Sequence, residues 1–480
     1  MSQLFLPMSG DIRQKSERCF HVAKERLPLT SYPDKLSQLL SQDLDFCVNR
    51  ENHGVHTLHS FPAKFPPELP RKFIQELTDP NEVVLDPMLG SGTTLVESFL
   101  TGRLGIGFDI DPLALLMSQV KVTQFDKEML QQIGNHILTQ AAHKIWLKRT
   151  ELTDGLQKRW DKETFAFIDY WFAPEIQMEL FSLITEIERL SNPNIRSFFA
   201  LIFSSIIITK SGGVSYALDL GHTRPHRAKI VRTGNGKILL DECSKDDSSR
   251  KIEILTKTVR SPIDEFGKRI KQHLNNLLEQ PSQGNPPIIQ YGNAQALPLG
   301  DASVDLIVTS PPYASNAIDY MRAHKFSLVW MGHSIQQLSQ DRKQYIGGES
   351  ATATAFEELP SQVDGIAKEV ERANKKKGKA LFRYYSEMTR MLREMFRVLK
   401  PGKAAVVVVG NSILSGKDTQ IQTCLAEIGK TLGFQVPKIG VRQLDRNKRM
   451  MPVGMHIDST STIQQRMHEE YIIGFYKPPI

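Results

Sequence analysis

The chain has 480 residues, of which 40% are hydrophobic and 24% charged, so it can bury a large core in one big domain with insertions or in two domains. Its formal charge of +7 allows a polyanionic partner, but a solvated basic surface would give the same total. The longest apolar run, residues 198–209, is too short to cross a bilayer, and no signal peptide pattern opens the sequence, so we expect no membrane association and a cytoplasmic location. The four cysteines show no CxxC spacing, which argues against a metal site or a disulfide framework.

Short apolar runs rich in β-branched residues alternate with helical patterns along much of the chain. In chain order the candidate strands are VVLD (Val83–Asp86), LGIGFDI (Leu104–Ile110), IIQYGN (Ile288–Asn293), VDLIVTS (Val304–Ser310), AAVVVVGN (Ala404–Asn411), QVPKIGVRQL and YIIGFYK. Runs of this kind are typical of parallel strands buried on both faces. Segments such as TTLVESFL show helical spacing between them. The sequence therefore predicts an α/β fold with a doubly wound, mostly parallel sheet.

This alternation divides the chain into four parts. Residues 1–50 are predicted to form an N-terminal helical segment, and residues 51–125 the first half of the sheet domain. Residues 126–287 are predicted to form a mainly helical insertion, and residues 288–480 the second half of the sheet domain. Within that second half, we expect a variable loop over residues 333–380.

The first chemical motif is DPMLGSGTT at Asp86–Thr94, where a predicted strand turns into a helix. Glycines in such a turn let a ligand approach the backbone, and the helix N-terminus offers unpaired N–H groups. The lysine of a phosphate-binding P-loop is absent, and Asp86 stands where it could receive a cationic group. Asp109 ends the next strand, 17 residues beyond Gly92, where a carboxylate accepts hydrogen bonds from ribose hydroxyls. The motif predicts a site for a positively charged nucleoside without a pyrophosphate.

The second motif is TSPPY at Thr309–Tyr313, directly after the apolar run VDLIV. Two prolines fix φ twice and remove two backbone donors, so the chain must leave the sheet after Ser310. The result is a rigid corner with free carbonyl acceptors and an aromatic ring. Such a corner is either a structural turn or part of a pocket.

Together these motifs resemble the amino-methylating DNA methyltransferases that use S-adenosylmethionine. The resemblance covers Asn52 to about Phe125 and Ile288 to the end of the chain, and it implies a seven-stranded Rossmann-like methyltransferase sheet. HTLHSFPAKFPPELPRKFI (His56–Ile74) is similar to the family segment around the methionine part of the cofactor. DPMLGSGTT resembles DPFxGSGTT, and GNAQALPL (Gly292–Leu299) resembles the element that contacts the adenine. The cofactor-binding residues implied are His59, Phe61, Lys64, Asp86, Met88, Gly90, Gly92, Thr93, Asp109 and Asn293.

TSPPY resembles the catalytic S/D/N-P-P-Y/F tetrapeptide of that family, which makes Ser310, Pro311, Pro312 and Tyr313 the implied catalytic residues. An exocyclic amino group is a poor nucleophile because its lone pair is delocalised into the base. Our hypothesis is that Ser310 Oγ and the Pro311 carbonyl accept hydrogen bonds from its N–H groups, while Tyr313 stacks on the flipped base. No metal is needed for this transfer.

The tetrapeptide SPPY resembles the cytosine-N4 enzymes more than the adenine-N6 enzymes, which more often carry DPPY or NPPY. We therefore favour cytosine-N4, with adenine-N6 as the alternative. Methylation of cytosine at carbon 5 would need a thiolate nucleophile, usually in a Pro-Cys pair, and the sequence has none.

Recognition of DNA is expected outside the sheet. Within the insertion, LDLGHTRPHRAKIVR (Leu218–Arg232) is strongly basic, and its residues could read bases, bind phosphates or serve only the structure. After the catalytic motif, Asp319, Tyr320 and Arg322 are candidates for the base pocket, whereas Phe326, Leu328 and Trp330 are expected in the core. The nucleic-acid candidates are Arg224, His226, Arg227, Lys229 and Arg322.

Other functional questions stay open at the level of sequence. An RNA guanine-N2 methyltransferase also places a Gly-rich turn before a PPY tetrapeptide, and a non-catalytic nucleic-acid-binding protein could keep the same fold. Double-stranded DNA is the expected partner, and a cognate restriction endonuclease or another defence partner is a candidate. The target sequence and the oligomeric state are not fixed by these residues.

Overall fold

The computed structural model describes residues 31–46, 54–61, 64, 66–209, 211, 213–220, 225–243, 249–277, 285–314, 319–348, 356–444 and 469–479. The helices are α1 (Tyr32–Leu40), α2 (Glu68–Leu77), α3 (Thr93–Leu100), α4 (Pro112–Val122), α5 (Lys127–Leu147), α6 (Arg149–Arg159), α7 (Lys162–Trp171), α8 (Pro174–Glu188), α9 (Pro193–Ile207), α10 (Ser249–Ile254), α11 (Pro262–Asn275), α12 (Met321–Leu328), α13 (Ile335–Asp341), α14 (Ser361–Ala373), α15 (Lys375–Val398) and α16 (Ile421–Thr431). The strands are β1 (Val83–Asp86), β2 (Leu104–Asp109), β3 (Ile230–Thr233), β4 (Ile238–Asp241), β5 (Thr256–Val259), β6 (Ile288–Tyr291), β7 (Val304–Thr309), β8 (Leu399–Gly410), β9 (Ile413–Leu414), β10 (Lys417–Asp418), β11 (Ile439–Gln443) and β12 (Glu469–Tyr476).

A seven-stranded sheet organises the molecule, with the strand order β11-β12-β8-β7-β1-β2-β6. Strands β6, β2, β1, β7 and β8 run parallel to one another, whereas β12 is antiparallel to both β8 and β11. The predicted α/β class with a mostly parallel, doubly wound sheet is confirmed. Strand order reverses between β1 and β7, so the carboxyl ends of these two strands flank a crevice of the kind that binds ligands in such sheets.

Side chains alternate between two apolar layers along the central strands. In β7 and β8, Leu306 and Val406 pack in the layer that includes α1 and α2, while Ile307 and Val407 pack in the layer that includes α15 and α16. Both faces of the sheet are therefore buried, which explains why the strands read as near-continuous apolar runs. Among the described helices, none is long and apolar enough to span a membrane.

The insertion between the two halves of the sheet packs around an apolar cluster that it shares with helices α3, α4 and α12. Helices α5, α8, α9 and α11 surround buried aromatic residues such as Phe198, Phe199 and Phe266. A small three-stranded sheet with the order β4-β3-β5 belongs to the same region.

The variable loop predicted over residues 333–380 is more regular than expected. Helices α13 and α14 lie within this range, and α15 begins inside it. Val363, Ala367 and Val370 are fully buried at helical spacing, and α14 packs against α15. The expectation of a loop was wrong here because these few apolar residues, spaced for one helix face, are diluted by many charged neighbours.

Candidate active site

The glycine turn between β1 and α3 adopts a backbone that only glycine accommodates well. Gly90 has a φ of +48° and Gly92 a φ of +75°, both in the left-handed region. A Cβ on Gly92 would lie 2.4 Å from Ser118 Oγ in α4. The turn is therefore fixed by two requirements at once, a positive φ and close contact with the next helix.

A cleft opens at the carboxyl ends of β1 and β7, and its space of about 900 Å³ is continuous with solvent. Residues predicted from both motifs meet there: the cleft is lined by Phe61, Lys64, Asp86, Met88, Gly90, Thr93, Asp109, Asn293, Ser310 and Pro312. Four predicted residues lie behind this lining, namely His59, Gly92, Pro311 and Tyr313. The structure thus brings together segments that are more than 200 residues apart in the chain.

Asp86 is the acidic residue at the centre of the cleft, and its side chain is largely buried. Its Oδ1 accepts a hydrogen bond from Thr309 Oγ1 at 2.8 Å and one from the Met88 amide at 3.2 Å. Burial raises the pKa of Asp86 to about 7, because a charge is poorly solvated there. The Thr309 bond also ties the end of β1 to the end of β7.

Asp109 holds the glycine turn at the end of β2. Its Oδ2 accepts a hydrogen bond from the Gly90 amide at 2.8 Å, and its Oδ1 accepts one from the Asp111 amide at 2.9 Å. Burial, followed by the nearby charge of Asp111, raises the pKa of Asp109 to about 6. Two acidic groups that resist ionisation therefore face one cleft, which suits a ligand carrying positive charge.

Asp111 also lines the cleft, and the sequence did not single it out. Its side chain caps α4 by accepting from the Leu113 amide at 2.9 Å, and Oδ2 lies 2.6 Å from His324 Nδ1. Burial acts to raise the pKa of Asp111, but the contacts with His324 outweigh it, so the pKa is lowered. An Asp-Pro pair at a helix start was the only sequence signal for this residue.

Aromatic rings form one side of the cleft. Phe61 stacks on Tyr320 with ring centroids 4.6 Å apart and an interplanar angle of 16°. Tyr320, a predicted pocket residue, lines the cleft together with Tyr345. Tyr345 lies beyond α13 in a segment without a recognisable motif, so no sequence pattern singled it out. As expected, Phe326 and Trp330 are fully buried.

Buried charges support the glycine turn from beneath. Glu97 in α3 is fully buried, and its two carboxylate oxygens contact His56 Nε2 at 2.9 Å and Arg71 Nε at 2.6 Å. Lys121 in α4 is also buried and donates to the Ser91 carbonyl. Burial lowers the pKa of Lys121, and the neighbouring Lys64 adds to that effect. These groups hold the turn in place by side-chain bonds to its backbone and to its helix.

His59 lies in the interior rather than on the cleft. Its Nε2 is 2.9 Å from Ser204 Oγ in α9, and Ser204 in turn donates to Ser327 Oγ in α12 at 3.0 Å. Burial lowers the pKa of His59 to about 3, so the ring is neutral at physiological pH. The predicted methionine-side segment is thus joined to the helical insertion by a hydrogen-bonded chain.

The SPPY tetrapeptide, which the sequence predicts to be catalytic, follows directly after β7. Ser310 and Pro312 face the cleft, and Pro311 is buried. Only 6% of the Tyr313 surface is exposed, and its hydroxyl donates to Glu470 Oε1 at 3.0 Å. Burial raises the pKa of Tyr313 well above its ordinary value, and the negative charge of Glu470 adds to the effect.

The predicted nucleic-acid residues occupy different surroundings. Arg227 forms an ion pair with Glu242, and its guanidinium lies 4.4 Å from the ring centre of Tyr170. His226 is exposed, and Lys229 is partly buried. Arg322 contacts Asp319 at 3.2 Å. Arg224 lies outside the described residues, so its placement stays a prediction.

Comparison with known proteins finds similarity to DNA methyltransferases. A family model described as DNA methylase, of the N6/N4 type, matches residues 27–119. The type II methyltransferase M.MvaI of Kocuria varians is 24% identical over 403 residues, covering 79% of this chain and 82% of the relative. The type II methyltransferase M.BsoBI of Geobacillus stearothermophilus is 22% identical over 431 residues, covering 81% of this chain and 80% of the relative.

A solved structure was also found by shape. The rRNA methyltransferase aviRa of Streptomyces viridochromogenes is 12% identical and covers 89% of this chain and 94% of that chain, with a TM-score of 0.26. A score this low carries no argument about the fold, which rests on the strand order and register described above.

Proposed function

We propose that this chain, which matches the N6/N4 DNA methylase family over residues 27–119, methylates the exocyclic amino group of a flipped base in double-stranded DNA, with S-adenosylmethionine as cofactor. One observation carries the proposal: the glycine turn and the SPPY corner meet across adjacent strands in a single cleft. The bond between Thr309 and Asp86 joins the two motifs directly.

The donor and acceptor groups of the cleft fit this cofactor. Asp86 would face its positive charge, since a carboxylate with a raised pKa gains most from a nearby cation. Asp109 would accept from the ribose hydroxyls, and Asn293 at the end of β6 would contact the adenine. When bound, S-adenosylmethionine supplies an electrophilic methyl group on a sulfonium.

The SPPY corner would prepare the amino group of the base. Ser310 Oγ and the Pro311 carbonyl accept its N–H hydrogens, which draws the nitrogen towards tetrahedral geometry and frees its lone pair. The two prolines keep these acceptors still, so that alignment of the amine with the methyl group supplies much of the rate. Stacking on Tyr313 requires this ring to become more accessible than its 6% exposure, whereas Tyr320 already faces the cleft.

Cytosine-N4 is the base that we propose, because the tetrapeptide is SPPY, with adenine-N6 as the alternative. The test is to express the wild type and Ser310→Ala in cells that lack other DNA methylation and to map modified bases in their DNA. We expect N4-methylcytosine at one short sequence with the wild type and none with the variant. Methylation by Ser310→Ala at the wild-type level would remove Ser310 from the site, and N6-methyladenine would favour the alternative base.

We further propose that the protein acts as the methyltransferase of a restriction system, because relatives that align over about four-fifths of both chains are described as type II methyltransferases. A cognate restriction endonuclease is the implied partner. The helical insertion, in which the exposed His226 and the partly buried Lys229 precede β3, is the candidate DNA-recognition region. Transfer of labelled methyl groups to DNA but not to RNA is the expected result, and transfer to RNA alone would contradict the proposed substrate.

A further inference from the structure

A cluster of basic side chains lies at the turn between α14 and α15. Residues 372–379 carry five basic side chains and no acidic one, namely Arg372, Lys375, Lys376, Lys377 and Lys379. All five are exposed, and among the described residues none of them forms an ion pair. The nearby Glu369 is paired with Lys417 in β10 instead. This basic cluster is therefore open to an anionic partner.

The turn that carries the basic cluster is built from two packed helices. Asn374 caps α15 by accepting a hydrogen bond from the Lys377 amide at 3.0 Å. Gly378 lets α15 approach α14 closely, since a Cβ at this position would collide with the backbone of Glu371. Val370 in α14 and Leu381 in α15 are fully buried. The backbone beneath the charges is thus fixed before a partner binds, which lowers the entropic cost of binding.

The lysines of the basic cluster stand where positive charge is unfavourable in the free protein. Lys375, Lys376 and Lys377 occupy the first turn of α15, where the helix macrodipole is itself positive. They also repel one another, because no acidic side chain lies among them. Cations in such a place do not stabilise the fold, so their accumulation indicates a role outside it.

The course of α15 places the basic cluster at the edge of the sheet that carries the cleft. α15 ends where β8 begins, and β8 is parallel to β7, so α15 runs from the carboxyl edge of the sheet to its amino edge. The Tyr385 hydroxyl in α15 donates to the Thr419 carbonyl at 2.8 Å, and Thr419 follows the β9-β10 hairpin beyond the carboxyl end of β8. The part of α15 before Tyr385 therefore projects past this edge.

A second contact relates the basic cluster to the cleft itself. Glu387 Oε2 in α15 accepts a hydrogen bond from the Gly347 amide at 2.7 Å, and Gly347 follows Ile346, which lines the cleft. At 1.5 Å per residue, Lys379 and Lys375 lie about 12 to 18 Å farther along α15 than Glu387. The basic cluster is thus beyond the rim of the cleft, on the side from which a base would enter.

We propose that the basic cluster binds the phosphate backbone of double-stranded DNA beside the cleft and so holds the duplex while the target base enters. This inference rests on the proposed function. Double-stranded DNA carries one negative charge per about 1.7 Å of its axis, so five cations within two turns of helix can meet several phosphates. Phosphate contacts position the duplex and carry no sequence information, so recognition of bases is left to other parts of the protein.

Two double variants test the basic cluster. Lys375→Gln with Lys376→Gln, and Lys377→Gln with Lys379→Gln, each remove two charges and keep good helix formers. Binding is measured by fluorescence anisotropy over a range of salt concentrations, with a labelled duplex of about 20 base pairs, two helical turns, and of arbitrary sequence. Phosphate contacts do not depend on sequence, so this probe serves without knowledge of the target.

The expected effect follows from the release of counterions. Each phosphate contact contributes about 0.9 to the slope of log affinity against log salt concentration. We expect each double variant to reduce this slope by about 1 to 2 and to raise the Kd for the duplex about 10- to 50-fold at about 0.1 M salt. The Kd for S-adenosylmethionine should stay at the wild-type value, because the cluster lies outside the cleft.

Lys430→Gln with Lys438→Gln is the matched control. Both lysines are exposed, and they lie near the end of α16 and just before β11, at the amino edge of the sheet. The control removes the same number of charges, yet we expect it to keep the wild-type slope and Kd. Circular dichroism and calorimetry of cofactor binding establish that each variant is folded.

The outcomes separate the inference from the function beneath it. If the wild type binds and methylates duplex DNA and both double variants of the basic cluster keep its slope and Kd, the role of the cluster is overturned and the proposed function stands. An equal loss of affinity in the control has the same meaning, because net charge alone would then explain it. Weaker binding to duplex RNA with unchanged binding to DNA would overturn the choice of partner. A wild type that binds S-adenosylmethionine but methylates no DNA refutes the proposed function and the inference with it.

Discussion

Binding of S-adenosylmethionine should release a proton from Asp86. The side chain is buried at the centre of the cleft, and its pKa is about 7, so near neutral pH a large fraction of molecules carries a neutral carboxyl. A cation within 4 to 6 Å lowers the pKa of a carboxyl by roughly 1 to 3 units. The bound cofactor should therefore convert Asp86 to its ionised form and expel the proton into the buffer.

The size of the effect follows from the pKa of Asp86. With a pKa of about 7, half of the Asp86 carboxyls are protonated at pH 7, so binding should release about 0.5 proton per site. At pH 6 the protonated fraction is about 0.9, and the release should approach that value if the cofactor lowers the pKa by two units or more. Above pH 8 the release should fade. Affinity should accordingly rise with pH up to about 7 and then level off.

Isothermal titration calorimetry measures this release directly. Titrations in buffers with different ionisation enthalpies give the number of protons released from the slope of the observed enthalpy against the buffer enthalpy. Thr309→Val is the matched variant, because it removes the 2.8 Å hydrogen bond that lowers the pKa of Asp86 and preserves the shape of the side chain. It should release more than 0.5 proton at pH 7 and bind more weakly.

Two results would refute this reasoning. A binding enthalpy that is independent of the buffer at both pH 6 and pH 7 would mean that Asp86 does not change its protonation. A proton release that survives unchanged in Asp86→Asn would assign the proton to another group, such as Asp109.

Three further predictions concern stability. The Asp86 proton should stabilise the fold at low pH, because the folded pKa of about 7 exceeds the unfolded value. In urea titrations without cofactor, the unfolding free energy of the wild type minus that of Asp86→Asn should therefore fall by on the order of 4 kcal/mol as pH rises from about 4 to 7. A difference that does not change with pH would contradict this. Gly92→Ala should lower the free energy of unfolding by about 1 to 3 kcal/mol, because φ is +75° and the new Cβ would collide with Ser118 Oγ. The measurement is a lower Tm, and we expect weaker cofactor binding as well. Glu97→Gln should lower the free energy of unfolding, measured in urea, by about 2 to 4 kcal/mol, because it breaks a buried ion pair. Glu76→Gln, at an exposed ion pair, should lower it by less than about 1 kcal/mol. Equal losses in the two variants would contradict the argument from burial.

Much of the fold could be read from the sequence because the central strands are buried on both faces. Such strands need apolar side chains at nearly every position. This requirement is visible as short apolar runs in the sequence, at Val83–Asp86, Val304–Ser310 and Ala404–Asn411. Helix α14 was missed because its apolar face is only a few residues, and the charged residues around it gave the segment the composition of a loop.

The residues of the candidate site that the sequence predicts best are those with a special backbone geometry. Gly90, Gly92 and the two prolines of SPPY are residues whose backbone limits are visible in any sequence, and they stand next to strand ends. Residues that act through side chains from distant segments left no comparable signal. Asp111 and Tyr345 reach the cleft only because α4 and the segment after α13 fold against it.

The sequence by itself determined the seven strands of the central sheet, the two backbone motifs and the fact that each motif follows a strand, because these properties depend on neighbours within a few residues. Only the tertiary structure decided that β7 lies beside β1, that Thr309 bonds to Asp86 across 223 positions, and that Tyr313 meets Glu470 across 157. The spacing of apolar residues along the sequence indicates whether a side chain is buried, but it does not indicate which residue it packs against. The partners, and with them the raised pKa of Asp86, follow from the order in which the strands assemble.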